Sequence, residues 1–458
     1  MKENVWKKYT DEDINTLNEI CDDYRKFITN SKIEREVVTN TIKLAKEYDF
    51  TDIEEYIKEN RQLVPGDKVY VNNRGKSIAL FIIGKEDLTK GINILGAHVD
   101  SPRLDLKANA LYEDTDLAYF DTHYYGGIKK YQWVTIPLSI HGVVVKKNGE
   151  VINVVIGEDV GDPVLGITDL LPHLGKDQME KKANKVIEGE NLDILIGSMP
   201  LNDDEDDAVK RNIIEILKNK YNIEEDDFLS AELEVVPAGE ARDFGLDRSM
   251  IMAYGQDDKV CAYSSLRAFL DTGICDKTTC CILVDKEEIG SVGATGMQSS
   301  FFENALIEMC SLTGHDEMTA IGRCLSNSYM LSSDVNAAYD PLYSDVMDKR
   351  NSSYFNNGVV FCKYTGSRGK SGSNDANAEY VAKLRNIMDN NDVHFQISEL
   401  GKVDIGGGGT IAYILANRNV NVIDCGVGVL SMHAPWEVTA KSDIYEAYKC
   451  YKAFLKNA

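Results

Sequence analysis

Thr278–Met297 reads TTCCILVDKEEIGSVGATGM. An apolar run, Cys280–Val284, stops at Asp285-Lys286-Glu287-Glu288 and is followed by Gly290, Gly293 and Gly296. Such a run predicts a buried β-strand, and the tail predicts a polar loop at its C-terminal end. Two adjacent carboxylates sit at that end. Neighbours in extended chain point to opposite sides, so one Glu can hold a metal ion while the other acts as general base. The order within the pair is open from this stretch alone. The competing reading is a solvated acidic turn, the commoner fate of an isolated Glu-Glu pair.

The remaining sequence decides between them. At 458 residues the chain has room for two or three domains. A 43% hydrophobic and 27% charged composition is that of a soluble globular protein with a sizeable core. A net charge of −24 argues against nucleic acid and anionic membrane surfaces as partners, but not against divalent cations. Ten cysteines without a CxxC pair predict buried free thiols in a reducing compartment. The stretch MKENVWKKYTDEDINTLNE has no apolar signal core, and no apolar run is long enough to span a bilayer. A cytoplasmic location is expected.

Residues 11–48 carry helical periodicity (Ile14, Leu17, Ile20, Tyr24, Ile28), with Ser31 and Glu34 spaced as a capping box. Val69–Val71 and Ser77–Ile83 predict a hairpin. Asn93–Val99 predicts a buried strand running into His98-Val99-Asp100. Between 104 and 236 the texture changes to short alternating strands and an acidic stretch, Asp203-Asp204-Glu205-Asp206-Asp207, read as solvated surface. Interruption of a helix–strand pattern in this way predicts an α/β protein with an inserted β-rich domain. The boundaries expected are 1–104 and 237–458 for the two parts of the catalytic domain and 105–236 for the insertion. Strands are expected at Met250–Gly255, Tyr329–Leu331 and Val420–Cys425. Helices are expected after Lys259, from Phe301, over Ala376–Met388 and over Asp443–Leu455. Gly406–Gly409 lacks a GxxxxGK[ST] pattern and is read as close backbone packing.

Five apolar runs end in ionisable residues: His98/Asp100, Asp257/Asp258, Glu287/Glu288, Asp334 and His433. In open α/β sheets ligands bind beyond the carboxyl ends of the strands. Two His with several carboxylates and no Cys suit Zn²⁺, Mn²⁺ or Co²⁺ in a two-metal hydrolytic site. One carboxylate would bridge, and a spare Glu could deprotonate water.

The segments GAHVDSPR, YGQDDK, DKEEIGS, SSDVNAAYDP and SMHAPWEV, in this order, resemble the M18 family of metalloaminopeptidases, the aspartyl aminopeptidase/aminopeptidase I group. The likeness covers essentially the whole chain, and the 363–375 segment resembles the aminopeptidase I branch. It implies a phosphorylase/hydrolase-like α/β catalytic domain with an inserted β-rich dimerisation domain, and a tetrahedral dodecamer. It also implies His98 and Asp334 on one zinc, Glu288 and His433 on the other, and Asp257 bridging. Asp100 would orient His98, Glu287 would be the general base, and Asp258 would shape the backbone. Lys363 would lie near substrate, and His173 would be the residue reaching a neighbouring subunit's site. His123, His141, His315 and His394 match no ligand motif.

The implied activity is removal of N-terminal residues, acidic or neutral, from peptides with a free N-terminus; the aminopeptidase I likeness favours neutral ones. Two rivals remain at this level. One is another co-catalytic metallohydrolase, a deacetylase or carboxypeptidase. The other is a non-catalytic assembly or cargo protein on the same fold.

Overall fold

The computed structural model describes residues 3–203 and 205–458. Met1 and Lys2 of the N-terminal stretch, and Asp204 of the acidic run, lie outside the described residues. The chain forms two compact units.

The first unit comprises Met1–Asp100, Ala241–Met432 and Glu437–Ala458. Its main sheet has nine strands, in the order Thr51–Asp52, Lys68–Asn73, Ser77–Ile82, Thr278–Val284, Ile92–His98, Tyr329–Ser332, Asn421–Gly426, Val359–Cys362 and Phe395–Ser398. The predicted hairpin is the antiparallel pair Lys68–Asn73 and Ser77–Ile82. Thr278–Val284, Ile92–His98, Tyr329–Ser332 and Asn421–Gly426 run parallel to their neighbours within this group. Every residue of the first two is buried. Side chains alternate between faces. Cys281, Leu283, Leu95 and Ala97 join one apolar cluster with Leu17, Leu266 and Phe454. Cys280, Ile282, Val284 and Ile94 join a second cluster with Phe302, Leu306 and Met309. A sheet covered on both faces needs apolar residues at every position, which is why the opening stretch shows no alternation.

The first helix, Asp11–Thr29, buries Leu17, Ile20, Tyr24 and Ile28 as the periodicity requires. Thr10 and Asp13 form its capping box, with the Asp13 amide donating to Thr10 Oγ1 at 3.2 Å and the Thr10 amide to Asp13 Oδ2 at 2.9 Å. The box expected at Ser31 and Glu34 does not form. The second helix is Glu34–Glu47, and it is Glu36 that reaches back to accept from the Lys32 and Ile33 amides at 2.8 and 3.3 Å. Ser31 lies outside that turn and accepts from Asn40 Nδ2. Later helices are Gln256–Leu270, Phe301–Leu312, Ala378–Asn390 and Lys441–Asn457.

A second sheet of five strands has the order Arg242–Phe244, Met250–Ala253, Glu437–Ala440, Gly428–Leu430 and Asn336–Ala337. This corrects the picture of five strand ends on one sheet. Met250–Ala253 and Gly428–Leu430, which precede Asp257 and His433, belong to the small sheet. Only His98, Glu287/Glu288 and Asp334 follow strands of the main one.

The second unit comprises Ser101–Glu240 and His433–Trp436. It is built on a six-stranded antiparallel sheet in the order Val151–Ile156, Leu138–Val145, Ala231–Pro237, Arg103–Asp114, Leu117–Tyr125 and Ile194–Gly197. The unit also contains a helix, Ala208–Tyr221, that the acidic run obscured in the sequence. Asp203 serves this helix by accepting from Arg211 Nη1 at 2.8 Å.

All ten cysteines are buried and free. No helix among the described residues is long and apolar enough to cross a membrane. Thr10→Ala removes a cap that satisfies an otherwise orphaned amide. It is expected to cost about 1 kcal/mol of stability, read as a lower denaturant midpoint with unchanged catalytic activity; an unchanged midpoint would contradict the capping role.

Candidate metal centre

Three ionisable strand ends converge because their strands are neighbours in register. His98 pairs with Val284 on one side, and Gly96 pairs with Ser332 on the other. The chains therefore leave the sheet level with one another, carrying His98, Glu287/Glu288 and Asp334 to one edge.

Asp100 ties two of these ends together. Its carbonyl oxygen lies 3.0 Å from His98 Nδ1 and its Oδ1 lies 3.4 Å from the same nitrogen. The carboxylate also accepts from two amides, Glu287 N on Oδ1 at 3.1 Å and Glu288 N on Oδ2 at 3.2 Å. Glu287–Ile289 is a single 3₁₀ turn entered through Lys286 at φ 72°. The adjacent carboxylates are thus separated by a tight turn, not by the alternation of extended chain expected from the sequence.

His98 Nε2 faces Asp257 Oδ1 at 3.1 Å and Glu287 Oε2 at 3.9 Å. Burial opposes a charge on His98, yet the hydrogen bonds to Asp100 and Asp257 and the nearby Glu287 hold its pKa well above the usual histidine value. Burial raises the Asp334 carboxyl, with Asp258, Glu287 and Asp257 adding repulsion. Burial likewise raises Asp258, against the pull of His98. So many acidic groups in a poorly solvated space are sustained by protons or by a cation.

Within this unit, ligand atoms of His98, Asp257 and Asp334 lie within 4.8 Å of one another, as do those of His98, Glu287 and Glu288. The donors are imidazole nitrogen and carboxylate oxygen, and Nδ1 of His98 is already engaged, which leaves Nε2 as its ligand atom. This donor chemistry fits zinc. His433 lies in the four-residue segment of the second unit, where its Nδ1 faces the Gly127 carbonyl at 2.9 Å. A carbonyl can only accept, so the proton of that contact sits on Nδ1 and Nε2 is the nitrogen left for a metal ion.

The remaining residues singled out by the sequence are Lys363, His173 and Asp258. Lys363 follows a strand, Val359–Cys362, that runs antiparallel to its neighbour, and its Nζ is 2.6 Å from Asp375. His173 is exposed in the second unit. Asp258 is fully buried in the first turn of the Gln256–Leu270 helix; the peptide between Asp257 and Asp258 is cis. Of the Gly406–Gly409 run expected to pack closely, Gly406 and Gly407 do, with added Cβ atoms falling 1.8 Å from Leu400 O and 2.6 Å from Ser367 Cα, whereas Gly408 meets only the Leu400 side chain at 3.6 Å and Gly409 meets nothing within 4 Å.

Two supporting residues escaped the sequence reading. Asp285 is buried and its Oδ2 accepts from Thr295 Oγ1 at 2.6 Å, closing the loop that carries the Glu pair. Glu437 accepts from the Asp257 amide. Asp285 gave a signal, as a carboxylate directly following seven buried strand residues; Glu437 gave only its place in the SMHAPWEV segment.

A partly buried cluster of His98 and carboxylates beyond the ends of adjacent parallel strands is the arrangement of a metal-binding enzyme site. The family profile described as "Aminopeptidase I zinc metalloprotease (M18)" matches residues 27–455. The probable M18 family aminopeptidase 1 of Clostridium acetobutylicum is 59% identical over 455 residues, covering 99% of this chain and 98% of that protein. The crystal structure of aminopeptidase I from Clostridium acetobutylicum is similar with a TM-score of 0.93 at 57% identity, and that of the Thermotoga maritima M18 aminopeptidase with 0.95 at 43%. Each covers 100% of both chains. The chain belongs to the M18 family and is a metalloaminopeptidase, a hydrolase of the exopeptidase type. The deacetylase, carboxypeptidase and non-catalytic readings give way to this one.

Gly426 lies where the strand ends meet. A Cβ there would fall 1.9 Å from Asp334 O and 2.9 Å from Cys261 Sγ. Gly426→Ala must displace the Asp334 main chain. The expected outcome is a loss of about 1–3 kcal/mol together with weaker zinc binding, measured by thermal unfolding and chelator competition. Wild-type values in both would refute the close approach.

Proposed function

We propose that the site is a two-zinc centre in which Asp257 bridges, His98 and Asp334 serve one ion, and Glu288 and His433 serve the other. The observation that carries this reading is His98, held by Asp100 through Nδ1 and facing Asp257 through Nε2, beside a Glu pair anchored on the same Asp100. The ions, when bound, supply Lewis acidity toward a carbonyl oxygen and a water. Mn²⁺ or Co²⁺ would suit the same donors.

The protein's own groups supply the remainder. Glu287 is the general base: it takes a proton from water as the water adds to the first peptide carbonyl, and returns it to the amine that leaves. One peptide bond breaks, and the products are a free amino acid and a peptide shortened by one residue. Asp100 acts by position, since its carboxylate fixes the turn that aims Glu287 and Glu288, and its contacts to Nδ1 set the tautomer of His98.

The preferred N-terminal residue is proposed to be neutral and leucine-like. The one cation that family likeness puts near substrate, Lys363, has Asp375 as its counter-ion, and Lys370 reaches the same carboxylate at 3.0 Å. Two lysines on one carboxylate leave one net positive charge, so the neutral preference rests on the aminopeptidase I likeness and not on Lys363. The second unit, which contains the 105–236 insertion expected from the sequence and extends it to Ser101–Glu240 with His433–Trp436, is proposed to serve dimerisation. Exposed Leu170, Leu171 and Leu174 around His173 suit burial against another subunit. On this reading dimers build the tetrahedral dodecamer of the family, His173 reaches a neighbour's site, and the enzyme works in the cytoplasm.

Zinc-loaded Glu287→Gln is expected to keep its metal and lose about 10²–10⁴ in kcat, whereas Asp257→Ala loses metal and turnover together. Wild-type turnover in both variants would end the assignment. A panel of aminoacyl substrates tests the preference, with leucyl expected to exceed aspartyl in kcat/KM. The reverse order would contradict the neutral preference. N-acetylated peptides are expected to resist cleavage.

A further inference from the structure

We propose that Glu437 is a positioning residue for the reaction, acting through the main chain of Asp257; the inference rests on the reading of Asp257 as the bridging ligand. Asp257 occupies the first turn of the Gln256–Leu270 helix, where amides have no partner within the helix. The residue at the cap position is Gly255, which makes no side-chain cap. The backbone of Asp257 is not helical either, at φ −79° and ψ 104°, so the helical ladder does not fix it.

The missing cap comes from another strand. Glu437 opens the strand Glu437–Ala440, which pairs antiparallel with Met250–Ala253, and Ala253 faces Glu437 in register. From there Glu437 Oε2 accepts from the Asp257 amide at 3.0 Å. Gln256 locks the same two segments together. Its Nε2 donates to Glu437 O at 2.6 Å and to Ile251 O at 3.1 Å, and its Oε1 accepts from Thr439 Oγ1 at 2.5 Å and Tyr24 Oη at 3.2 Å. Glu437, Gln256, Thr439 and Tyr24 are all fully or almost fully buried.

The choice of a carboxylate is informative. Ser, Thr or Asn would satisfy an orphan amide at this place. A Glu on a paired strand reaches that amide from outside the helix, so the place of Asp257 is tied to the pairing of the small sheet as well as to its own helix.

The test compares Glu437→Ala, Glu437→Gln, Thr439→Val and Asp257→Ala in the full chain. Zinc affinity is measured by competition with a chromogenic chelator, alongside kcat, KM and circular dichroism. Folded Glu437→Ala is expected to bind zinc about 10–100-fold more weakly and to lose kcat with KM little changed. Glu437→Gln keeps an acceptor oxygen and should recover part of that loss. Thr439→Val frees one side of Gln256 and should show a smaller loss in the same direction. Wild-type zinc affinity in folded Glu437→Ala and Thr439→Val would overturn the proposal, and if Glu437→Ala does not fold, Thr439→Val decides alone. Wild-type zinc affinity in Asp257→Ala would instead remove the ligand reading on which the proposal rests.

Discussion

The carboxylate of Asp100 is the constraint on which the site depends. It accepts the amides of Glu287 and Glu288 while its residue holds Nδ1 of His98. Two strand ends that would otherwise fray are joined by one buried anion. Both of its oxygens are spent on main-chain donors, so the turn carrying the Glu pair is fixed as a unit. This is preorganisation of the kind that a general base needs, because the base must meet its proton at hydrogen-bond distance.

Such a link is possible only where the strands end level. Thr278–Val284, Ile92–His98 and Tyr329–Ser332 are parallel, adjacent and matched in register. Their burial on both faces makes that register hard to shift, since a slip by one residue would exchange Cys281 and Leu283 with Cys280 and Ile282 across the sheet. Core packing thus sets the spacing of the ionisable groups. The carboxylates then face one another in a space that raises Asp334 and Asp258, and the same crowding that disfavours their charge favours a divalent cation.

Much of this was legible in the sequence because the relevant signals are local. An apolar run that stops at a charge marks both a buried strand and the edge where ligands bind, and five such stops named His98, Asp257, Glu287, Glu288, Asp334 and His433. The central strands and the long helices followed from periodicity. What could not be read was non-local. The sheet to which a strand belongs is a matter of pairing, so the small sheet whose strands precede Asp257 and His433 in the chain was invisible. The 3₁₀ turn at Glu287 depends on Lys286 taking a left-handed conformation and on an acceptor 187 residues away. The capping box at Ser31 matched the motif but not the helix start, where Glu36 serves two amides at once. The helix Ala208–Tyr221 was hidden because an acidic run before it reads as surface whatever follows.

The central claim is that one bridging carboxylate and two His–carboxylate pairs form a single two-zinc centre. Anomalous difference maps from a zinc-loaded crystal, collected on both sides of the zinc edge, test it most directly. Two peaks per subunit are expected, both in contact with Asp257, one also with His98 and Asp334 and the other with Glu288 and His433. A single peak, or a pair that does not share Asp257, would contradict it.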